Sequence, residues 1–232
     1  MTTFGTQKED STVTVKPSSQ RPRKERKENA DMRRTQLLEA TRRSIVANGL
    51  AKTTLATVAN EAGLSQGVAV FYFKSKTGLL TDTLRDQYQR YDQNWKKALA
   101  AAGDNPLDQL IAMIKADFAP EICDSDSLAL WFAFWGEEKF TPQYAAISSE
   151  FDMSHRDVMR SICAVLAEES YLDGDDVSDW IENVSDGYWQ KLHLHPGSTD
   201  PELATAATLR LFSQLMPKYA ARIAELSAQS LL

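Results

Sequence analysis

Apolar residues recur at steps of three and four along most of this chain, the spacing of a single helix face, and no alternating run bounded by hairpin turns interrupts them. Met32, Leu37, Leu38, Ala40, Thr41, Ile45 and Val46 draw the first stripe, over 30–48, and Asn48 followed by Gly49 predicts its end. Leu79, Leu80, Leu84, Tyr88, Tyr91 and Trp95 draw a longer stripe over 76–102. Further helices are predicted over 106–118, 125–139, 141–169, 173–195 and 200–226. The segment 125–139 is apolar almost all round, which predicts burial; Thr141 as cap and Pro142 at the first position predict where the next helix starts. Breaks fall at 103–106 and at Pro196-Gly197. The pattern predicts an all-α fold.

Between the first two stripes lies the stretch 53–76, TTLATVANEAGLSQGVAVFYFKSK. Leu55, Val58, Ala59 and Ala62 fall at helical spacing, Gly63 stops that helix, and Ser65 is placed to cap a second one over 65–72 through its hydroxyl. Two short helices joined so tightly meet at a steep angle, which is a helix-turn-helix whose second helix is free to enter a DNA major groove. Gly67 and Ala69 are small enough to let that backbone approach base edges, and the Gln66 amide matches the donor and acceptor of adenine.

Charge sharpens this reading. The net charge is −6, yet residues 1–80 carry 14 Lys and Arg against 7 Asp and Glu, whereas 81–232 carry 12 against 25. A basic end bearing the helix-turn-helix is attracted and oriented by phosphate, and the acidic remainder faces away. Residues 1–29 are rich in Ser, Thr and charge with no buried face, so disorder is expected; the basic run 21–27 within it suits contact along phosphates or in a minor groove. The 232-residue length allows a large core, so the domains expected are the arm 1–29, a head 30–76 and a larger helical domain 77–232. No stretch is apolar enough to span a membrane and the first residues lack a signal peptide's apolar run, so a soluble, cytoplasmic protein is expected. Cys123 and Cys163 are far apart and read as packing thiols in a reducing compartment.

Catalysis finds no footing. There is no phosphate loop, no nucleophile elbow and no metal-ligand spacing beyond His193 and His195, which point about 200° apart on a helix. Neither a metal nor a cofactor is expected, and His155, among charged neighbours, reads as a surface residue. A small-molecule pocket fits better: Trp131, Phe134, Trp135, Tyr144 and Trp189 lie on helices that surround the middle of the larger domain, where their ring faces attract a cation.

The run T-T-x-x-x-V-A-x-x-A-G-L-S-x-G followed by Y-F-x-S-K-x-x-L, from Thr53 to Leu79, resembles the DNA-binding signature of the TetR family of one-component repressors. Val70 and Phe71 depart from the commonest pattern, which places an aromatic and often a His there. The resemblance implies a homodimer on a near-palindromic operator, with Gln66, Gly67, Val68 and Val70 facing base edges and Thr54, Ser65, Tyr72 and Lys76 holding phosphates; Thr53 and Phe71 complete the expected DNA-binding set. Further along, L-W-F-A-F-W at 130–135, then Gln143, Tyr144 and Ser148, and D-G-Y-W at 186–189 resemble the BetI-like subgroup, the choline-responsive repressors. That resemblance implies choline or another quaternary ammonium compound as effector, balanced by Asp117, Glu137 or Asp186, and a dimer interface of the last two helices, 177–194 and 201–215. Val184, Tyr188, Leu192, Leu203, Leu209 and Leu211 supply apolar surface there. The same head would also serve an activator, or a regulator with an apolar or aromatic ligand or none.

Overall fold

The computed structural model describes residues 1–2, 23–168 and 170–229. Among them the regular structure is helical, with no strand. Eleven α-helices run in the order α1 Arg23–Lys52, α2 Leu55–Glu61, α3 Gln66–Phe73, α4 Lys76–Ala101, α5 Pro106–Asp117, α6 Pro120–Cys123, α7 Ser125–Glu138, α8 Pro142–Ala167, α9 Gly174–Leu194, α10 Pro201–Leu215 and α11 Ala220–Gln229.

Side-chain caps fix most of the starts. Thr54 and Thr57 exchange hydrogen bonds in a capping box ahead of α2. The Ser75 hydroxyl accepts from Gly78 N–H at 3.0 Å at the head of α4. Asn105, Asp124, Asp173 and Asp200 do the same for α5, α7, α9 and α10. Each such cap contributes about 1 kcal/mol by satisfying an otherwise unpaired backbone donor.

Several expectations change. Helix α1 begins at Arg23, seven residues before the stripe that predicted it, so part of the expected arm is helical; residues 3–22, which hold the rest of it, lie outside the described residues. Gly49 does break the regular turn, at φ 78° and ψ 167°, but a further turn carries the helix to Lys52. The helix expected over 200–226 is two, because Pro217 has no N–H to continue α10; a 3-10 turn, Pro217–Tyr219, leads into α11. The short α6 had no stripe to announce it.

Two cores share two helices. Leu37, Leu38, Val58, Ala59, Ala69, Phe73 and Leu79 close the head. The larger core takes Leu80, Leu84, Tyr88 and Trp95 from α4 and fills with α5 and α7 to α10; α1 lends it Ile45. Helices α1 and α4 therefore belong to both units, and polar links tie them together: Arg34 to Asp82 at 2.8 Å, Arg90 to Glu39, and Arg42 to Gln87. No described helix is long and apolar enough to cross a membrane.

Candidate functional site

Two regions bring the expected chemistry together. In the head, α3 turns Ala69 and Phe73 into the core, so Ala69 packs there and does not approach a partner as expected. Ser65, Gln66, Gly67, Val70 and Phe71 are exposed on the outward side; Val68 and Tyr72 are half-buried and pack against the head's core. Ser65 stands at the cap position of α3 and is exposed, but makes no side-chain capping hydrogen bond, contrary to expectation. Thr53 is fully buried, its hydroxyl donating to the Gly49 carbonyl at 3.0 Å and lying 3.0 Å from Ser44 Oγ, which makes it a brace between α1 and α2. Thr54 is occupied in its capping box. The Lys76 ammonium donates to the Ala51 carbonyl at 2.6 Å, near the C-terminus of α1, where a cation is favoured by the helix dipole. The Gln36 amide donates to the Ala62 carbonyl at 2.7 Å and fixes the end of α2 against α1.

The second region is a cavity of about 290 Å³ lined by α4, α5, α7, α8 and α9. One wall is aromatic. Trp131, Trp135 and Trp189 lie with ring centroids 5.9–6.0 Å from one another, and Tyr88 and Tyr91 meet Trp131 edge-on at 4.6 and 6.1 Å. The lining also carries five acidic side chains: Asp117, Glu138, Asp152, Glu182 and Asp186. Arg156 also lines the cavity and pairs with Glu182 at 3.2 Å, which leaves an excess of negative charge.

Of the residues expected at a ligand, Trp131, Trp135, Trp189 and Asp186 meet at this cavity, joined by Asp117. Phe134 and Tyr144 do not line it; they pack edge-to-face on each other at 5.1 Å. Glu137 is exposed and its neighbour Glu138 lines the cavity instead. Tyr88, Tyr91, Asp152 and Glu182 were not anticipated as lining, although their helices were.

His155 corrects the surface reading: it is 8 % exposed, packed edge-on to Trp95, with Nε2 3.6 Å from Asp117 Oδ1. Burial pushes it down to about 4, so it is neutral near pH 7. Asp117 is 5 % exposed and anchors the floor, its carboxylate accepting from Tyr91 Oη at 2.8 Å and its backbone carbonyl from Trp189 Nε1 at 2.9 Å. Burial pushes its carboxyl up to about 7, and burial reinforced by Glu138 pushes Asp152 up to about 7. Trp131 Nε1, Glu182 Oε1 and Ser185 Oγ are buried beside the cavity with no hydrogen-bond partner in the protein. Such groups are costly unless something in the cavity engages them.

Cys123 and Cys163 are buried free thiols, and among the described residues no group of three His, Cys, Asp or Glu is arranged to hold a metal. Helices α9 and α10 leave Leu194 and Leu203 exposed, whereas Leu209, expected at an interface, is buried in the core.

Residues 37–83 match the model of the tetR family of bacterial regulatory proteins, and residues 106–217 match that of the BetI-type transcriptional repressor C-terminal domain. The chain is 30 % identical over 175 residues to the HTH-type transcriptional regulator BetI of Burkholderia thailandensis, covering 75 % of this chain and 88 % of that protein. It is 34 % identical over 121 residues to the regulator of the same name from Stenotrophomonas maltophilia, covering 52 % of this chain and 62 % of that protein. Its fold is similar to a crystal structure described as a transcriptional regulator from Pseudomonas aeruginosa PAO1, with TM-score 0.73 and 21 % identity over 83 % of this chain and 94 % of that one. It is also similar to one from Saccharomonospora viridis solved in complex with choline, with TM-score 0.69 and 15 % identity over 79 % of this chain and 96 % of that one. Head, larger helical domain and relatives agree, and the chain belongs to the TetR family of bacterial regulatory proteins, among the BetI-type transcriptional repressors.

Proposed function

We propose that this regulator binds a near-palindromic operator as a homodimer through α2 and α3, and that a small quaternary ammonium compound such as choline, held in the aromatic and acidic cavity, releases it. The single observation that carries the effector's class is the cavity lining, which combines indole and phenol rings with five acidic side chains, while the lining guanidinium of Arg156 is already paired to Glu182. Aromatic faces attract a cation that cannot donate hydrogen bonds, and the carboxylates supply the balancing charge. A neutral or anionic ligand would leave that charge uncompensated. The choline found with the regulator from Saccharomonospora viridis supports the same class.

Gln66, Gly67, Val70 and Phe71 meet base edges in this reading, with Ser65, Tyr72 and Lys76 beside phosphates; Thr53 acts by bracing the head. The dimer forms through α9 and α10, where Leu194 and Leu203 await cover. Helix α4 carries the signal. Its first turn packs under α3, and Tyr88 and Tyr91 reach the cavity about three to four turns from its start. A ligand that draws those rings inward tilts the rod and changes the spacing of two heads, to the extent that it binds the tilted arrangement better.

The test is a mobility-shift assay on DNA upstream of the protein's own gene, with a panel of quaternary and primary amines and with the Trp131→Ala variant. Choline is expected to release the wild-type complex, and the variant to need at least about tenfold more, as loss of a desolvated cation–π contact of about 2 kcal/mol implies. Release by uncharged analogues of the same size, or by none of the amines, would contradict the cationic effector.

A further inference from the structure

The outward face of α3 differs from what surrounds it. Phe73 and Ala69 point into the core; Gly67 and Phe71 lie on the opposite side of the helix and Val70 on its flank, and Gln66 is exposed in the first turn. Val70 is 41 % and Phe71 67 % exposed, an apolar pair on the basic end of the chain. Lys74 folds back along Phe71, its Nζ 5.1 Å from the ring centroid and donating to the Phe71 carbonyl at 2.5 Å. An exposed apolar pair in such a setting marks a contact that something outside the protein completes.

Gly67 supplies a second, independent observation. Its φ is not in the left-handed region, and a Cβ built on it would meet only Ser65 Oγ, at 3.8 Å, an ordinary contact. Nothing within the protein calls for glycine there, although glycine weakens a helix relative to alanine. A missing side chain at an exposed helix position lets another molecule approach the backbone closely.

We propose that Val70 and Phe71 read the C5-methyl groups of thymines in the major groove, and that Gly67 lets α3 settle deeply enough to bring them there. The proposal rests on the reading of this head as operator-binding. The thymine methyl is the apolar group that base pairs present in that groove; the rest of the floor is donors and acceptors. An apolar side chain gains only against the methyl, and elsewhere it strips water from polar edges without replacing it. Gln66, exposed in the first turn of the same helix and one turn before Val70, offers an amide suited to adenine, the partner of thymine, so A·T pairs are read from both strands. Phosphate attraction to the basic head supplies affinity, and this face supplies sequence.

The experiment selects duplexes from a random pool with the full chain, then rebuilds the enriched motif with single thymine-to-uracil changes, which remove one methyl each. Wild-type protein is expected to lose about fourfold per contacted methyl, the worth of one buried carbon. Val70→Ala and Phe71→Ala each become indifferent to uracil at one thymine position. Gly67→Ala melts no lower than wild type yet binds the motif at least about fivefold more weakly, the lower end of a lost base contact. A selected motif without contacted thymines, or one whose uracil versions bind as tightly at every position, overturns the methyl reading and leaves operator binding standing. Failure to enrich any sequence removes both.

Discussion

Asp117 concentrates the cavity's electrostatics in one side chain. Its carboxyl is held up to about 7 by burial, against the pull of the Tyr91 hydroxyl, and Asp152, also in the lining, is raised to about 7 for the same main reason. Both carboxyls keep in the folded state a proton that the unfolded chain has already released, so their contribution to stability falls as pH rises from about 4 to about 7. A bound cation favours the ionised forms. Binding of the proposed cationic effector should therefore expel protons, with an affinity that rises with pH up to about 7 and levels above that. Calorimetric titrations in two buffers of different ionisation enthalpy count those protons; an affinity flat from about pH 5.5 to 8, with no proton release, would contradict the assignment. Asp117→Asn keeps the shape and removes the charge. It should raise the melting temperature above pH 7, by roughly 2–4 °C per kcal/mol of relief, while weakening choline and flattening the pH profile. The resemblance implied Asp117 and Asp186, along with Glu137, which is exposed and does not line the cavity; Asp152 and Glu182 were not expected. Helical spacing says which residues share a face and does not say which neighbour that face meets. His155 was misread for a related reason: it sits beside Arg156 and Asp157 in sequence, and only the packing of α8 against α4 and α5 turns it inward.

At the scale of elements, the joint between α3 and α4 decides whether the head and the larger domain move together. Lys74, at φ 63°, reverses the chain, Ser75 caps α4, and Gly78 in the first turn lies so close to the end of α3 that an added Cβ would press well inside contact with the Phe73 carbonyl oxygen. Backbone cannot swing aside as a side chain can. Gly78→Ala should therefore cost about 1–3 kcal/mol and spread the joint. Operator binding is lost in proportion, while choline affinity stays within about twofold because the cavity lies farther along α4. Unchanged operator binding in a variant that melts lower would contradict the role given to this joint. In 53–76 the stop at Gly63 was readable because it acts locally; the Thr54 and Ser75 caps are equally local, yet neither was singled out as a cap from the sequence. Even there Ser65 leaves its cap unmade. The start of α1 lies in a charged stretch with no apolar stripe, and the stop before Pro217 competes with a strong stripe on both sides, so neither announced itself in the hydrophobic pattern.

Across the whole molecule, two cores joined by α1 and α4 make one connected body. Ile45 of α1 is buried in the larger core, Leu79 of α4 in the head, and the Arg34–Asp82, Arg90–Glu39 and Arg42–Gln87 links run along the seam. A shift of α4 at the cavity cannot remain local, because such packing is bistable and does not deform continuously. Division into a basic reading end and an acidic sensing end was visible in the charge balance alone, and the resemblance added the kind of ligand. The meeting of five helices around one cavity depended on long-range packing that no local pattern encodes. If cavity and head are coupled as proposed, the coupling is reciprocal: whatever factor choline takes from operator affinity, operator takes from choline affinity. The most direct measurement titrates choline, by fluorescence of the cavity tryptophans, into free protein and into protein saturated with its operator. A weaker choline Kd in the complex, by the same factor that choline imposes on operator binding, is the predicted result; equal choline affinities in the two states would contradict the account.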